Sequence, residues 1–223
     1  MEDRLIGELQ ALREACRQRG VAVFVIGGYG VRAYGSLLRR TLDLDLAVVA
    51  EVWPALAEVL KAQGYHLSSA GIWVTATKGE GEEVVEIHIA VGDVVDVQSA
   101  ARYPIGIEPG IRRFVPDSDI AVPVFTLEGL LITKLMALRD NDVVDVVALL
   151  LQNAEQVDVE RFWHQVEEAG LLALLNERLA ELEEVLQSEE VNAIWWDRLG
   201  LMLDEGERWT VLRVVRRMRA LRM

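Results

Sequence analysis

The segment TLDLDLAVV (41–49) alternates without interruption, setting Leu42, Leu44, Leu46 and Val48 on one face of an extended chain and Asp43, Asp45 and Ala47 on the other. It is the strongest strand signal in the sequence, and it constrains chemistry as well as fold. An Asp-x-Asp on a strand projects both carboxylates from one face about 7 Å apart, twice the strand rise. Carboxylates so placed can share a cation. Hard ions such as magnesium take oxygen ligands and keep water and substrate phosphates around them, so two or three protein carboxylates suffice. The plainer alternative is a solvated strand face, since a chain with 36 Asp and Glu contains several such pairs by chance.

Composition narrows the classes. A chain of 223 residues, 52% of them hydrophobic, can build a real core in one large or two small domains. Only 23 Lys and Arg oppose the acids, and the formal charge is -13. The surface as a whole therefore repels nucleic-acid backbones and anionic membranes, and any nucleic-acid contact must be local. Cys16 has no intrachain partner and falls in a helical pattern, as expected of a buried thiol in a reducing cytoplasm. Glu2, Asp3, Glu8 and Glu14 make the start unlike a signal peptide. Apolar runs such as Val21 to Ile26 and Leu130 to Leu138 fall far short of the roughly 20 residues a membrane span requires. A cytoplasmic protein without a membrane partner is expected.

Leu5, Leu9, Leu12 and Cys16 predict a helix over 2–19, stopped at Gly20. VAVFVI (21–26) predicts a short buried strand feeding a Gly27-Gly28 turn, with a helix over 29–38. EVWPALAEVLKAQG (51–64), with proline near its start and glycine at its end, predicts another helix. Extended runs follow at about 70–77, 83–91 and 94–98, the last two read as a hairpin through Gly92-Asp93. From Thr126 onward nearly everything has helical period. The fold class is α+β, with an α/β part over 1–125 and a helical part over 126–223.

The hairpin supplies a third carboxylate, chosen by register. A three-residue connection through Val91, Gly92 and Asp93 pairs His88 with Asp96 and Glu86 with Gln98, collecting Ile87, Ile89, Val95 and Val97 on the apolar face. A two-residue turn would set Ile89 against Asp96. Asp96 is therefore the expected companion of Asp43 and Asp45, with Glu86 the runner-up, His88 a neighbour and Asp93 a turn residue. With three histidines and no His or Cys partner at ligand spacing, a zinc site is not expected, and His88 reads as a supporting residue.

VIGGYGVRAYGSLLRRTLDLDLAV (25–48) resembles the glycine-rich and Asp-x-Asp signature of nucleotidyltransferases of the DNA polymerase beta superfamily, particularly the AbiEii-like and related minimal bacterial groups. LEGLLITKLMALRDNDVVDVVALL (127–150) is similar to the helix pair of the same group, with Lys134, Arg139, Asp142 and Asp145 at its offsets. The resemblance covers roughly residues 21–150. It implies a nucleotidyltransferase-fold mixed sheet flanked by helices, followed by a helical region over 126–223 that completes the active-site cleft. The implied reaction moves a nucleoside monophosphate from a nucleoside triphosphate to an acceptor hydroxyl and releases pyrophosphate.

Magnesium, or manganese, is the implied cofactor, held by Asp43, Asp45 and Asp96. Asp43 and Asp45 would grip the ion that carries the phosphates, and Asp96 would help hold a second, about 3.5–4 Å away, that activates the acceptor. Gly27 and Gly28 would let triphosphate approach backbone N–H groups at a helix start, although a tight strand-to-helix turn needs glycine equally. Arg40 either contacts phosphate or balances the acidic cluster. Lys134 interrupts an apolar run and needs a partner, triphosphate or carboxylate. Asp142 and Asp145, at i and i+3, orient Lys134 or Arg139; the alternative is a helix cap made by Asn141 and Asp142. Tyr29 either narrows the pocket or offers a ring for a base. The acceptor, be it small molecule, protein or RNA, is chosen by loops and the second domain. The alternative on this fold is a nucleotide-binding or protein-interaction module of a toxin-antitoxin type pair, with catalysis lost or secondary.

In the helical remainder, Phe162, Val166, Leu171, Leu175, Leu179, Leu182 and Leu186 predict a core stripe. Trp195, Trp196 and Trp209 add apolar area for a core or a partner surface. Arg213, Arg216, Arg217, Arg219 and Arg222 are expected against the acidic face of 177–190 rather than on nucleic acid.

Overall fold

The structure, a computed structural model, describes residues 2–35, 41, 43–81, 84–106, 110–114 and 121–221. Arg40, Leu42 and the side chain of Arg222 lie outside what is described. Two compact units result: Met1–Ala33, Arg40–Val95 and Pro104–Thr126 form the first, and Tyr34–Arg39, Asp96–Tyr103 and Leu127–Met223 the second.

The chain begins with α1 (Glu2–Gln18), β1 (Phe24–Val25), α2 (Gly27–Arg32), β2 (Leu44–Val48), α3 (Trp53–Ala62), β3 (His66–Ala70), β4 (Trp73–Lys78) and β5 (Val85–Val91). Then come β6 (Asp93–Val95), β7 (Arg102–Pro104), β8 (Ile111–Phe114) and β9 (Ala121–Val124). Among the described residues seven strands make one mixed sheet in the order β3-β4-β5-β2-β1-β9-β8, while β6 pairs with β7. β2 runs parallel to β5 and β1 parallel to β9; within that sheet the β1–β2, β3–β4, β4–β5 and β8–β9 pairs are antiparallel.

The amphipathic stripe of α1 behaves as its spacing predicts, with Leu5, Leu9, Leu12 and Cys16 all buried. Burial pushes the Cys16 thiol up to about 11, so it is an inert core group. On the same helix Glu8 Oε2 accepts from the Tyr65 hydroxyl at 2.9 Å and from Lys78 Nζ at 2.8 Å, tying α1 to β4 and to the end of α3. Leu44, Leu46 and Val48 are buried, as the alternation requires, but so is Ala47 on the aspartate face. α2 packs against β2 there, so only the Asp43 and Asp45 end of that face stays open.

The hairpin expected between 83–91 and 94–98 does not form. β5 spends one edge on β2 and the other on β4, so β6 has no edge to join. The Gly92 N–H donates to Val48 O at 2.9 Å, carrying the β2 ladder one residue further, and its φ of +78° then turns the chain away. His88 consequently lies opposite Asp45 and Thr75, not opposite Asp96. The apolar run around His88 belongs to a central strand paired on both sides, where a hairpin argument considers one neighbour only. The run expected at 70–77 is β4, and the strand before it, β3, which turns into β4 at Gly71, was not foreseen.

The second unit carries α4 (Leu127–Ala137), α5 (Asp140–Asn153), α6 (Val159–Glu168), α7 (Leu172–Gln187), α8 (Glu190–Leu199) and α9 (Glu205–Ala220). α4 is buried almost all round, which is why its sequence shows so little amphipathic contrast. Phe162, Val166, Leu171, Leu175, Leu179, Leu182 and Leu186 form the expected core stripe. Trp163 Nε1 donates to Met218 O at 2.7 Å, fixing α6 to α9. Trp195 is buried, whereas Trp196 and Trp209 are exposed. Arg216 Nε donates to Glu183 Oε1 at 2.8 Å, Arg219 also bonds Glu183, and Arg217 donates to the Ala154 and Val157 carbonyls. The arginines of α9 thus meet acidic and carbonyl oxygens of their own unit. No helix among the described residues is long and apolar enough to cross a membrane.

Candidate active site

Asp45 projects from β2, Asp43 precedes it by two residues, and the parallel register puts His88 of β5 directly beside Asp45. The period of two brings Glu86 to the same face as His88. His88 Nδ1 lies 3.5 Å from Asp43 Oδ2 and 3.5 Å from Asp45 Oδ1, and Nε2 lies 2.7 Å from Glu86 Oε1. Hydrogen bonding to Asp43, then to Asp45, outweighs partial burial and raises the imidazole pKa to about 11. The free face therefore carries an imidazolium among three carboxylates at neutral pH.

One oxygen from each of Asp43 and Asp45 and a ring nitrogen of His88 all lie within 4.8 Å of one another. Two hard oxygens and one imidazole nitrogen, partly open to water, fit a divalent cation that keeps its remaining positions for water or phosphate. His88 is the member that the sequence underrated. Its partners at ligand spacing are aspartates across a parallel strand pair, so no His or Cys nearby in sequence could signal them.

Gly27 sits against this cluster. A Cβ there would come 1.8 Å from Asp45 Oδ2, and its φ of +62° is a left-handed conformation, so the position demands glycine twice over. Gly28 is buried within α2, whose first turn has no side-chain cap from Ile26. α2 has only six residues, so its dipole is slight, and what the glycines chiefly supply is open backbone beside Asp45.

The other sequence-predicted residues belong to the second unit. Asp96 is buried, and its Oδ2 accepts from Ser99 N at 2.8 Å and Ser99 Oγ at 2.6 Å. Burial raises its pKa, but the two Ser99 bonds and the Arg139 charge outweigh that and leave it below the usual carboxylate value. Lys134 Nζ pairs with Asp145 Oδ2 at 2.8 Å and Asp142 Oδ1 at 3.1 Å. Arg139 Nε donates to Asp142 Oδ2 at 3.1 Å, and the Arg139 backbone N–H bonds the same oxygen at 3.3 Å, so Asp142 also caps α5. Of the two partners open to Lys134, the structure supplies carboxylates.

The profile of a family described as uncharacterised nucleotidyltransferase matches residues 2–187. Two crystal structures share the fold. One, a protein assigned as a nucleotidyltransferase from H. pylori, is 12% identical with a TM-score of 0.58, over 98% of this chain and 94% of that one. The other, JHP933 from Helicobacter pylori, is 10% identical with a TM-score of 0.55, over 98% and 93% of the two chains. No curated protein matches the sequence. The superfamily is the one the motifs imply; the AbiEii-like subgroup is not the family matched.

Proposed function

As the chain belongs to the uncharacterised nucleotidyltransferase family, we propose that it moves a nucleoside monophosphate from a nucleoside triphosphate to an acceptor hydroxyl, with a divalent ion held at Asp43 and Asp45. The observation that carries this reading is the convergence of those two carboxylates with His88 on one half-open face, beside a glycine whose missing side chain leaves room for them. A bound magnesium or manganese ion would neutralise triphosphate charge and acidify the attacking hydroxyl.

Asp43 and Asp45 hold the ion and, through it, the phosphates. The acceptor oxygen bonds to the α-phosphorus as the bond to the bridging oxygen breaks and pyrophosphate leaves, and the hydroxyl proton passes to solvent at the half-exposed Asp43. Glu86, on the face of His88, steadies the ring through Nε2, while Asp96 Oδ2 accepts from Ser99. Lys134 serves to lock α4 to α5 through Asp142 and Asp145.

The test is incubation with magnesium or manganese, each labelled triphosphate and a cell extract as the source of acceptor. Label transfer is expected from the native protein and not from Asp43→Ala or Asp45→Ala. Transfer that survives both substitutions would refute the assignment.

A further inference from the structure

The proposed function asks for a divalent ion held by carboxylates, and an imidazole stands beside those carboxylates. We propose that His88 is a direct ligand, through Nδ1, and makes the centre prefer first-row transition ions, cobalt(II) more than manganese(II), over magnesium. The inference rests on the site assigned under Proposed function and goes beyond it to the identity of the ion.

Geometry carries it. Around an ion with bonds of about 2.1 Å, neighbouring ligand atoms stand about 3.0 Å apart in an octahedron and about 3.4 Å in a tetrahedron. His88 Nδ1 lies 3.5 Å from an oxygen of each aspartate, so two edges of such a shell are near their bonded length, and the three ligand atoms all fall within 4.8 Å of one another. The other ring nitrogen is already engaged, with Nε2 lying 2.7 Å from Glu86 Oε1. A histidine that binds a metal commonly donates its second ring N–H to a carboxylate, which fixes the tautomer and strengthens the ligating nitrogen. In the ion-free protein Nδ1 carries a proton toward the aspartates; an ion binding there would displace it, and the Glu86 contact would keep the remaining proton on Nε2. Both strands hold the arrangement in register, since Asp45 and His88 are direct partners in the β2 and β5 ladder.

Donor chemistry then sets the preference. Magnesium demands near-ideal octahedral oxygen and gives up water reluctantly. Imidazole suits later first-row ions, and two carboxylates with one imidazole favour an ion that accepts both donor types. Glu86 acts as a positioning residue, holding the ring without touching the ion.

The experiment measures ion binding to the full chain without nucleotide. Manganese is followed by electron paramagnetic resonance, magnesium by competition against it, and cobalt by its visible absorption. The native protein, His88→Asn, Glu86→Gln and Asp45→Asn are compared, with thermal melting to show that each variant is folded. Native protein is expected to bind manganese at least about tenfold more tightly than magnesium. His88→Asn should lose about 10- to 100-fold in manganese and cobalt affinity and little in magnesium affinity, and Glu86→Gln should lose about tenfold in the same direction. A manganese-to-magnesium ratio unchanged in folded His88→Asn overturns this inference and leaves the proposed function standing. Failure of the native protein to bind either ion, or ion binding untouched by Asp45→Asn, overturns both. Manganese selectivity that depends on His88, without any nucleotidyl transfer, supports the metal assignment and removes the proposed reaction.

Discussion

Two charge clusters in this chain are built from similar residues and come out opposite in kind. In the second unit Lys134, Asp142 and Asp145 are 13%, 8% and 0% exposed, and two carboxylates meet two cations once Arg139 is included. In the first, Asp43, Asp45 and His88 are 45%, 22% and 32% exposed, and with Glu86 three carboxylates surround one imidazole. The burial of Lys134, Asp142 and Asp145 is tolerable because these charges meet opposite ones. The open cluster keeps surplus negative charge even with the imidazole protonated, in contact with water where an ion can enter. The buried pairing around Lys134 fits a scaffold, and the exposed group around His88 fits the ion site proposed above.

The comparison can be broken at either end. The largest effect is expected from Asp45→Asn, which should lower nucleotidyl transfer by on the order of a hundredfold to a thousandfold while moving stability by about 1 kcal/mol or less; label transfer and chemical denaturation read the two separately. Asp145→Ala should do the reverse in kind, leaving Lys134 buried beside one carboxylate and costing about 3–5 kcal/mol of stability, read as a drop in denaturation midpoint. A stable Asp145→Ala protein would dissolve the distinction between the clusters. Gly27→Ala comes next: a side chain at positive φ costs about 1–2 kcal/mol, and its contact with Asp45 Oδ2 should cut ion binding as well. A fall in melting temperature without loss of ion affinity would separate backbone strain from the site.

The smallest effect concerns pH. The His88 pKa, raised from 6.5 to about 11, means that protonation favours the folded chain. Its contribution in the ion-free protein is complete below pH about 6.5 and is lost as pH rises toward 11. Melting in the presence of a chelator should therefore weaken across that interval in the native protein and less so in His88→Gln. Equal slopes would show that the imidazole is not held by the aspartates.

Much of this was legible from periodicity. The alternation in 41–49 placed Asp43 and Asp45 on an open strand face, and the stripes on α1, α6 and α7 placed the cores. What escaped was strand order. Asp96 was favoured because a hairpin through Gly92 made the better apolar face, yet β5 is shared between β4, the strand before it, and the more distant β2, and no local pattern encodes the second partner. The same pairing promotes His88 from bystander to neighbour of both aspartates. β7, β8 and β9 were missed because runs of three or four residues carry too few alternations to register.

The sheet hangs together through its shortest member. β1 contributes two residues, Phe24 and Val25, yet stands between β2 and β9, so β8 and β9 join the other four strands across a seam one register pair wide on the β9 side. The rings of Phe24 and Phe125, 5.9 Å apart, and the close seat of Phe24 against Gly110 brace it. Amide exchange should be fastest along that line, since few backbone bonds must open there. Asp45 and His88 stand on the wide side, in the block β3-β4-β5-β2, so breathing of the narrow side leaves their register untouched.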